Sequence, residues 1–196
     1  KQRFDKTSLN VFQTRYDNYI FLRATGNNST AGNPEFQFTA TPARFTGWEW
    51  TGNTRLVEAS SQQPKALDLE ARASAVEATN AATNQPLPRI APLRIGVDWT
   101  LSQAAWKWTL GADKTYDQNR VATNQPATAG YTLWNAGVSF EQKNTASRAL
   151  WFAKLRNAGN ALGYPATSIL TQTAAGRVPL RKPGISRASG CRAMSW

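Results

Sequence analysis

The sequence predicts an all-β protein: an antiparallel, up-and-down transmembrane β-barrel segment of about seven or eight strands, with long extracellular loops and short periplasmic turns. Three observations carry that prediction. Residues 93–113, LRIGVDWTLSQAAWKWTLGAD, alternate apolar and polar side chains on either side of a polar interruption at Ser102-Gln103, the pattern of two extended strands joined by a tight turn. Connecting segments are long and polar, then short, in strict alternation along the chain. A membrane barrel sorts its loops in this way, whereas a soluble sandwich has no reason to. Finally, eight tryptophans, several beside turns, suit an interface at which an indole ring meets apolar chains while its N–H stays wet.

Taken in order, residues 4–23 are rich in aromatic and β-branched side chains with polar ones interleaved, which predicts a long strand of mixed parity. Residues 24–34 concentrate Gly, Asn, Ser and Thr, the composition of a long polar loop. Residues 35–58 return to strand, with Pro42 expected at a bulge or above the hydrogen-bonded ladder, and residues 60–65 supply a short turn. Residues 67–77, LDLEARASAVE, favour helix on propensity. Their period of two, with Leu67, Leu69, Ala71, Ala73 and Ala75 against Asp68, Glu70, Arg72 and Ser74, decides for strand. A second long loop spans residues 78–92, the central hairpin follows, and residues 116–130 make a third. Strands at 131–140 and 149–156 flank a short turn at 141–147, and residues 157–176 form a fourth long loop.

Composition narrows the function. No run of about 18 apolar residues exists, so a helical span is excluded. The start at Lys1, without an initiator Met or an apolar leader, reads as a fragment. The net charge of +11 comes from scattered Lys and Arg, which reads as solvated or lumen-lining charge, and no nucleic acid partner is expected. Cys191 is the only cysteine and His is absent, so this segment offers neither an internal disulfide, nor a common zinc site, nor a Cys/His nucleophilic pair. No cofactor is expected. Carboxylate pairs such as Asp68 and Glu70 are explained by the alternation itself, and the chain is not read as an enzyme.

Four stretches together resemble the C-terminal part of the barrel of a TonB-dependent outer-membrane receptor: ARFTGWEW (43–50), LPRIAPLRIGV (87–97), GYTLWNAGVSF (130–140) and LRNAGNALGYPATS (155–168). The last departs from the family pattern at Ala158, Ala161, Gly163 and Ala166. The resemblance covers residues 4–180. It implies a 22-stranded barrel in the bacterial outer membrane, plugged by an N-terminal domain and importing a scarce nutrient such as a metal chelate or siderophore. An inner-membrane complex would energise it. Neither the plug nor the segment contacting that complex is read in this chain. The alternative in another class is a soluble, Trp-rich β-sandwich binding module; a simple porin or autotransporter barrel shares the alternation but not the motifs.

In the barrel reading, Asp68, Glu70, Arg72, Arg94, Asp98, Lys107 and Asp113 face the lumen. Leu93, Ile95, Val97, Trp99, Trp106, Trp108, Leu110, Trp134, Ala136, Val138 and Phe140 face lipid, with Trp99, Trp106 and Trp151 as candidates for a periplasmic aromatic girdle. Arg89 and Arg120, near extracellular loops, are candidate contacts for lipopolysaccharide or an anionic chelate. Residues 181–196 (RKPGISRASGCRAMSW) form an aberrant basic tail where the resemblance calls for a closing strand. Neither alternating face of that tail is free of arginine, so the expectation is that residues 182–196 are irregular, through a reading-frame change near Leu180 or, as the alternative, a genuinely divergent terminus.

Overall fold

The computed structural model describes residues 6–60, 65–145, 147–168 and 184–192, the last for the backbone alone. Eight strands run through them: β1 (Lys6–Asn28), β2 (Pro34–Val57), β3 (Lys65–Asn80), β4 (Arg94–Gln103), β5 (Trp106–Thr115), β6 (Tyr131–Lys143), β7 (Arg148–Arg156) and β8 (Gly184–Arg192). They form one sheet in sequence order, each antiparallel to the next. This is the up-and-down barrel wall that the alternation predicts. Residues 67–77 lie wholly inside β3, so patterning overrides helix propensity there. No ladder joins β1 to β8 among the described residues, over which the sheet is open. A sandwich would stack two sheets across a shared core, and that alternative fails.

The register explains the mixed parity of the first strand. Tyr16 pairs with Ala43 and Tyr19 with Thr41, so Asp17 and Asn18 share the space opposite Pro42. This is a bulge, which reverses the parity of everything beyond it. Pro42 has no N–H to give a ladder, and a bulge is where that lack is tolerated.

Three boundaries differ from the sequence reading. The long loop expected at 24–34 shrinks to residues 29–33, because the ladder continues through Ala24–Phe36 to Asn28–Pro34. Thr25 Oγ1 donates to Glu35 O at 3.2 Å, adding a side-chain rung. With 23 and 24 residues, β1 and β2 far exceed the roughly 9–11 that cross a bilayer, so this hairpin projects as a ribbon. The tight turn expected at Ser102-Gln103 falls at Ala104-Ala105, where Ala104 adopts a left-handed φ of 51° and β4 runs through Gln103. The tail expected to be irregular contains β8, whose backbone pairs with β7 from Arg148–Arg192 to Arg156–Gly184. Backbone pairing needs no side-chain alternation, and no proline interrupts residues 184–192. The remainder of the tail, residues 61–64 of the turn and residues 169–176 of the fourth loop lie outside the described residues.

The buried apolar side chains are few among the described residues: Ala43, Ala66, Ala78, Leu87 and Ala166. Ala43, Ala78 and Leu87 form one small cluster with Tyr19, Phe21, Phe45 and Ile90 packed against it. Leu87 belongs to the β3–β4 connection, whose chain returns to the sheet where Leu87 N donates to Ala78 O at 3.0 Å. By contrast Leu9, Val11, Trp48, Ile95, Trp106, Leu110, Trp134 and Trp151 are exposed. A sheet this long with its large apolar side chains uncovered is unlike a water-soluble domain, in which such a patch would be buried.

Candidate functional site: the polar wall and its loops

Residues paired across antiparallel strands lie on one face, so the register sorts the side chains. On one face it puts Asp68, Glu70 and Arg72 of β3, Arg94 and Asp98 of β4, and Lys107 and Asp113 of β5. Arg72 is the centre of this set. Its Nη1 meets Asp98 Oδ2 and lies 3.6 Å from Glu70 Oε1, and its Nη2 lies 2.5 Å from Asp113 Oδ1. Asp113 Oδ2 accepts from Asn135 Nδ2 at 3.2 Å, and Asn135 Oδ1 accepts from the backbone N–H of Asn157 at 3.3 Å. A continuous polar seam therefore crosses from β3 to the end of β7. Asn157 closes it with two bonds to Ala161, accepting from its N–H at 2.8 Å and donating to its carbonyl at 3.0 Å. Asp68 lies outside the seam, bound by Arg55 of β2 at 2.7 Å. Arg94 and Lys107 make no ion pair among the described residues.

Two glycines make the seam possible. Gly96 is the cross-strand partner of Arg72, and Gly111 of Asp98. A Cβ on Gly96 would stand 2.5 Å from Arg72 Nε, and one on Gly111 would fall on Asp98 Oδ1. Their bare backbones let the guanidinium reach over β4 to β5. Sequence reasoning missed Gly96, Gly111, Asn135 and Arg55; the available signal was glycine recurring at polar-parity positions of strands. Gly111→Ala is therefore expected to lower the unfolding free energy by about 1–2 kcal/mol through overpacking. Combined with Asp98→Ala it should add little, a non-additivity that a double-mutant cycle of denaturant midpoints measures.

Above the seam is a recess of about 590 Å³ lined by Glu49, Arg72, Arg94, Asp113, Tyr131 and Pro165 among others. Pro165 comes from the connection after β7, so this loop reaches the polar face. The other long connections are lashed together. Gln118 Nε2 donates to Ile90 O at 2.9 Å, Gln125 Oε1 accepts from Arg89 N at 3.2 Å, and Arg120 donates to Ala78 O at 3.0 Å and to Thr79 Oγ1 at 2.6 Å. Arg120 thus ties the β5–β6 connection to the end of β3 rather than standing ready for an anion. Arg120→Gln is expected to speed amide exchange about tenfold at Gln118 and Thr128, the loss of charged hydrogen bonds acting on the small ladder these two residues form. Unchanged exchange there would show that the loop is held otherwise.

The opposite face carries Trp99, Trp106, Trp108, Trp134 and Trp151, joined by Trp48 and Trp50 of β2. Trp106, Phe140 and Trp151 stand in one lateral row beside the short turns, with the Trp106 and Phe140 rings 4.7 Å apart and Trp106 stacked on Trp108 at 5.9 Å. Trp99 is outside that row, level with Leu110, and Trp134 is further along, level with Ala112. Leu93 precedes β4, outside the sheet.

Residues 1–158 match the family model described as TonB dependent receptor-like, beta-barrel. Among solved structures, one similar to this chain is titled "Copper transporter OprC", with a TM-score of 0.71 and 15% identity over 90% of this chain. The chain spans 27% of that transporter's length. No curated protein matches.

Proposed function

Because the chain belongs to the TonB-dependent receptor-like β-barrel family, we propose that it forms part of the wall of a bacterial outer-membrane receptor that imports a scarce nutrient. The observation that carries this reading is the division of one sheet into an exposed Trp-rich apolar face and a charged, hydrogen-bonded face. In a bilayer every backbone polar group must be paired within the protein, which strands achieve only as members of a barrel wall. The apolar face then meets lipid and lipopolysaccharide. The seam around Arg72 faces the lumen, where the plug domain of such a receptor sits, and the lashed loops form part of the extracellular mouth. Energy for import comes from the inner-membrane complex that acts on the plug.

The cargo class we favour is a metal compound, a chelate or siderophore, on the strength of the copper transporter that shares the fold. The chain contains no His, so it supplies no imidazole to a bare copper ion, and a chelate recognised through polar contacts suits the loops better. The test is uptake by cells lacking the gene, using a panel of labelled metal chelates. Uptake of at least one should fall, and should fall equally when the energising complex is disabled. Unchanged uptake across the panel, or recovery of the protein in the soluble fraction, would sink the reading.

A further inference from the structure

Arg15 of β1 and Arg44 of β2 are direct cross-strand partners. They lie on the apolar face: Arg44 shares the parity of Trp48 and Trp50, and Arg15 that of Leu9 and Val11, in a register that pairs Val11 with Trp48 and Leu9 with Trp50. Like charges placed opposite each other destabilise a sheet. Neither arginine makes an ion pair among the described residues. Between them opens a cleft of about 440 Å³, lined also by Tyr16, Asp17, Pro42 and Thr79. The bulge at Asp17-Asn18 bends the strand there, and both arginines are exposed.

We infer that Arg15 and Arg44 form a binding site for a phosphate group of a phosphorylated glycolipid headgroup in the outer leaflet; the inference rests on the membrane reading of the apolar face. Opposed strand positions hold Cα atoms roughly 4.5–5.5 Å apart, close enough for two planar guanidinium forks to converge on one phosphate, each with paired N–H···O bonds. The height is right. A strand crosses the apolar band in about 9–11 residues, and along β3 Thr79, the partner of Arg44, stands fourteen residues from Lys65, which is level with Trp106 beside the short turns. The arginines therefore come beyond the band, on the side of the long loops. A charge in mid-band would cost free energy, whereas at a headgroup it meets its counter-ion. Asp17 is the one acid in the lining, and it weakens the site.

The test uses the intact protein purified from outer membranes in mild detergent, with bound lipid counted by native mass spectrometry. The probes are a bisphosphorylated lipid A and its enzymatically dephosphorylated form. The wild type should retain the phosphorylated lipid preferentially, Arg15→Gln/Arg44→Gln should lose about thirtyfold in affinity, and Asp17→Asn should gain. The double variant should also be slightly more stable than wild type when lipid-free, since repulsion is relieved and no partner is lost. Equal retention of the two lipids, or undiminished binding by the double variant, overturns the site. Displacement of the lipid by equimolar inorganic phosphate would assign the cleft to a soluble anion and overturn the lipid assignment. Quenching of tryptophan fluorescence by brominated acyl chains separates the two levels: with quenching but no phosphate preference only this inference fails, and without quenching the membrane reading fails as well.

Discussion

Arg72→Met is expected to lower the unfolding free energy of the intact protein by about 2 kcal/mol, read as a shifted denaturant midpoint. The size follows from the degree of exposure. Exposed ion pairs contribute about 0–1 kcal/mol, and breaking a fully buried one costs about 3–5. The side chains of Arg72, Asp98 and Asp113 keep 36%, 36% and 38% of their accessible surface, so the seam falls between these limits. Removing the guanidinium leaves two carboxylates on adjacent strands facing each other without a cation, and most of the cost is their repulsion and desolvation. Arg72→Lys should recover only part, because one ammonium on a flexible stem cannot serve both carboxylates as a fork does. Arg72→Met/Asp98→Asn/Asp113→Asn should return to within about 1 kcal/mol of wild type, since no charge then lacks its partner. A single variant as stable as the wild type would show that the seam contributes nothing to the wall.

The face on which each side chain lies was readable because the period of a strand is two and the strands β3 to β7 keep it without interruption. Asp68, Glu70 and Arg72 needed no knowledge of the register to be placed on the opposite side from Leu67, Leu69 and Ala71. In the first strand the same reasoning stalled, since two residues, Asp17 and Asn18, answer to Pro42 alone, and this one extra residue changes the parity of the apolar set halfway. Which residues touch across the sheet was not readable. Arg72 reaches Asp113 two strands away because Gly96 lies between them, and that adjacency depends on two registers, β3 with β4 across a long connection and β4 with β5 across the Ala104-Ala105 turn, rather than on local spacing. The aromatic cluster of Tyr16, Tyr19 and Phe45, with centroids 5.0–5.6 Å apart, and its cover by Leu87 were hidden for the same reason. Leu87 sits in a Pro-rich stretch that reads locally as loop, and only its long-range contacts bury it. The length of the β1–β2 ribbon escaped because Gly and Asn favour turns on average, yet here Gly26, with a φ of 89°, belongs to an irregularity at residues 25–27 beyond which the ladder resumes at Asn28–Pro34.

Leu110→Arg should discriminate most sharply between a lipid-facing wall and a wet one. Leu110 lies in the middle of β5, on the Trp-rich face, with half of its surface exposed at 50%, between Trp106 at one end of the strand and Thr115 at the other. If that face meets water, an exposed leucine replaced by arginine changes stability by no more than about 0.5 kcal/mol. If it meets the hydrocarbon near the bilayer midplane, the same change costs about 2–4 kcal/mol, because the guanidinium must be desolvated or must drag water and headgroups inward. The internal control is one residue away. Thr109 is also exposed but points to the polar face, where its neighbours are Thr100 and Gly137, so Thr109→Arg adds a charge to a wetted surface and should cost under about 1 kcal/mol. Both variants are to be compared in lipid vesicles by reversible unfolding in denaturant. A large loss for Leu110→Arg beside a small one for Thr109→Arg assigns the Trp-rich face to lipid. Equal, small losses would return that face to water, and a larger loss at Thr109 would reverse the two sides of the wall.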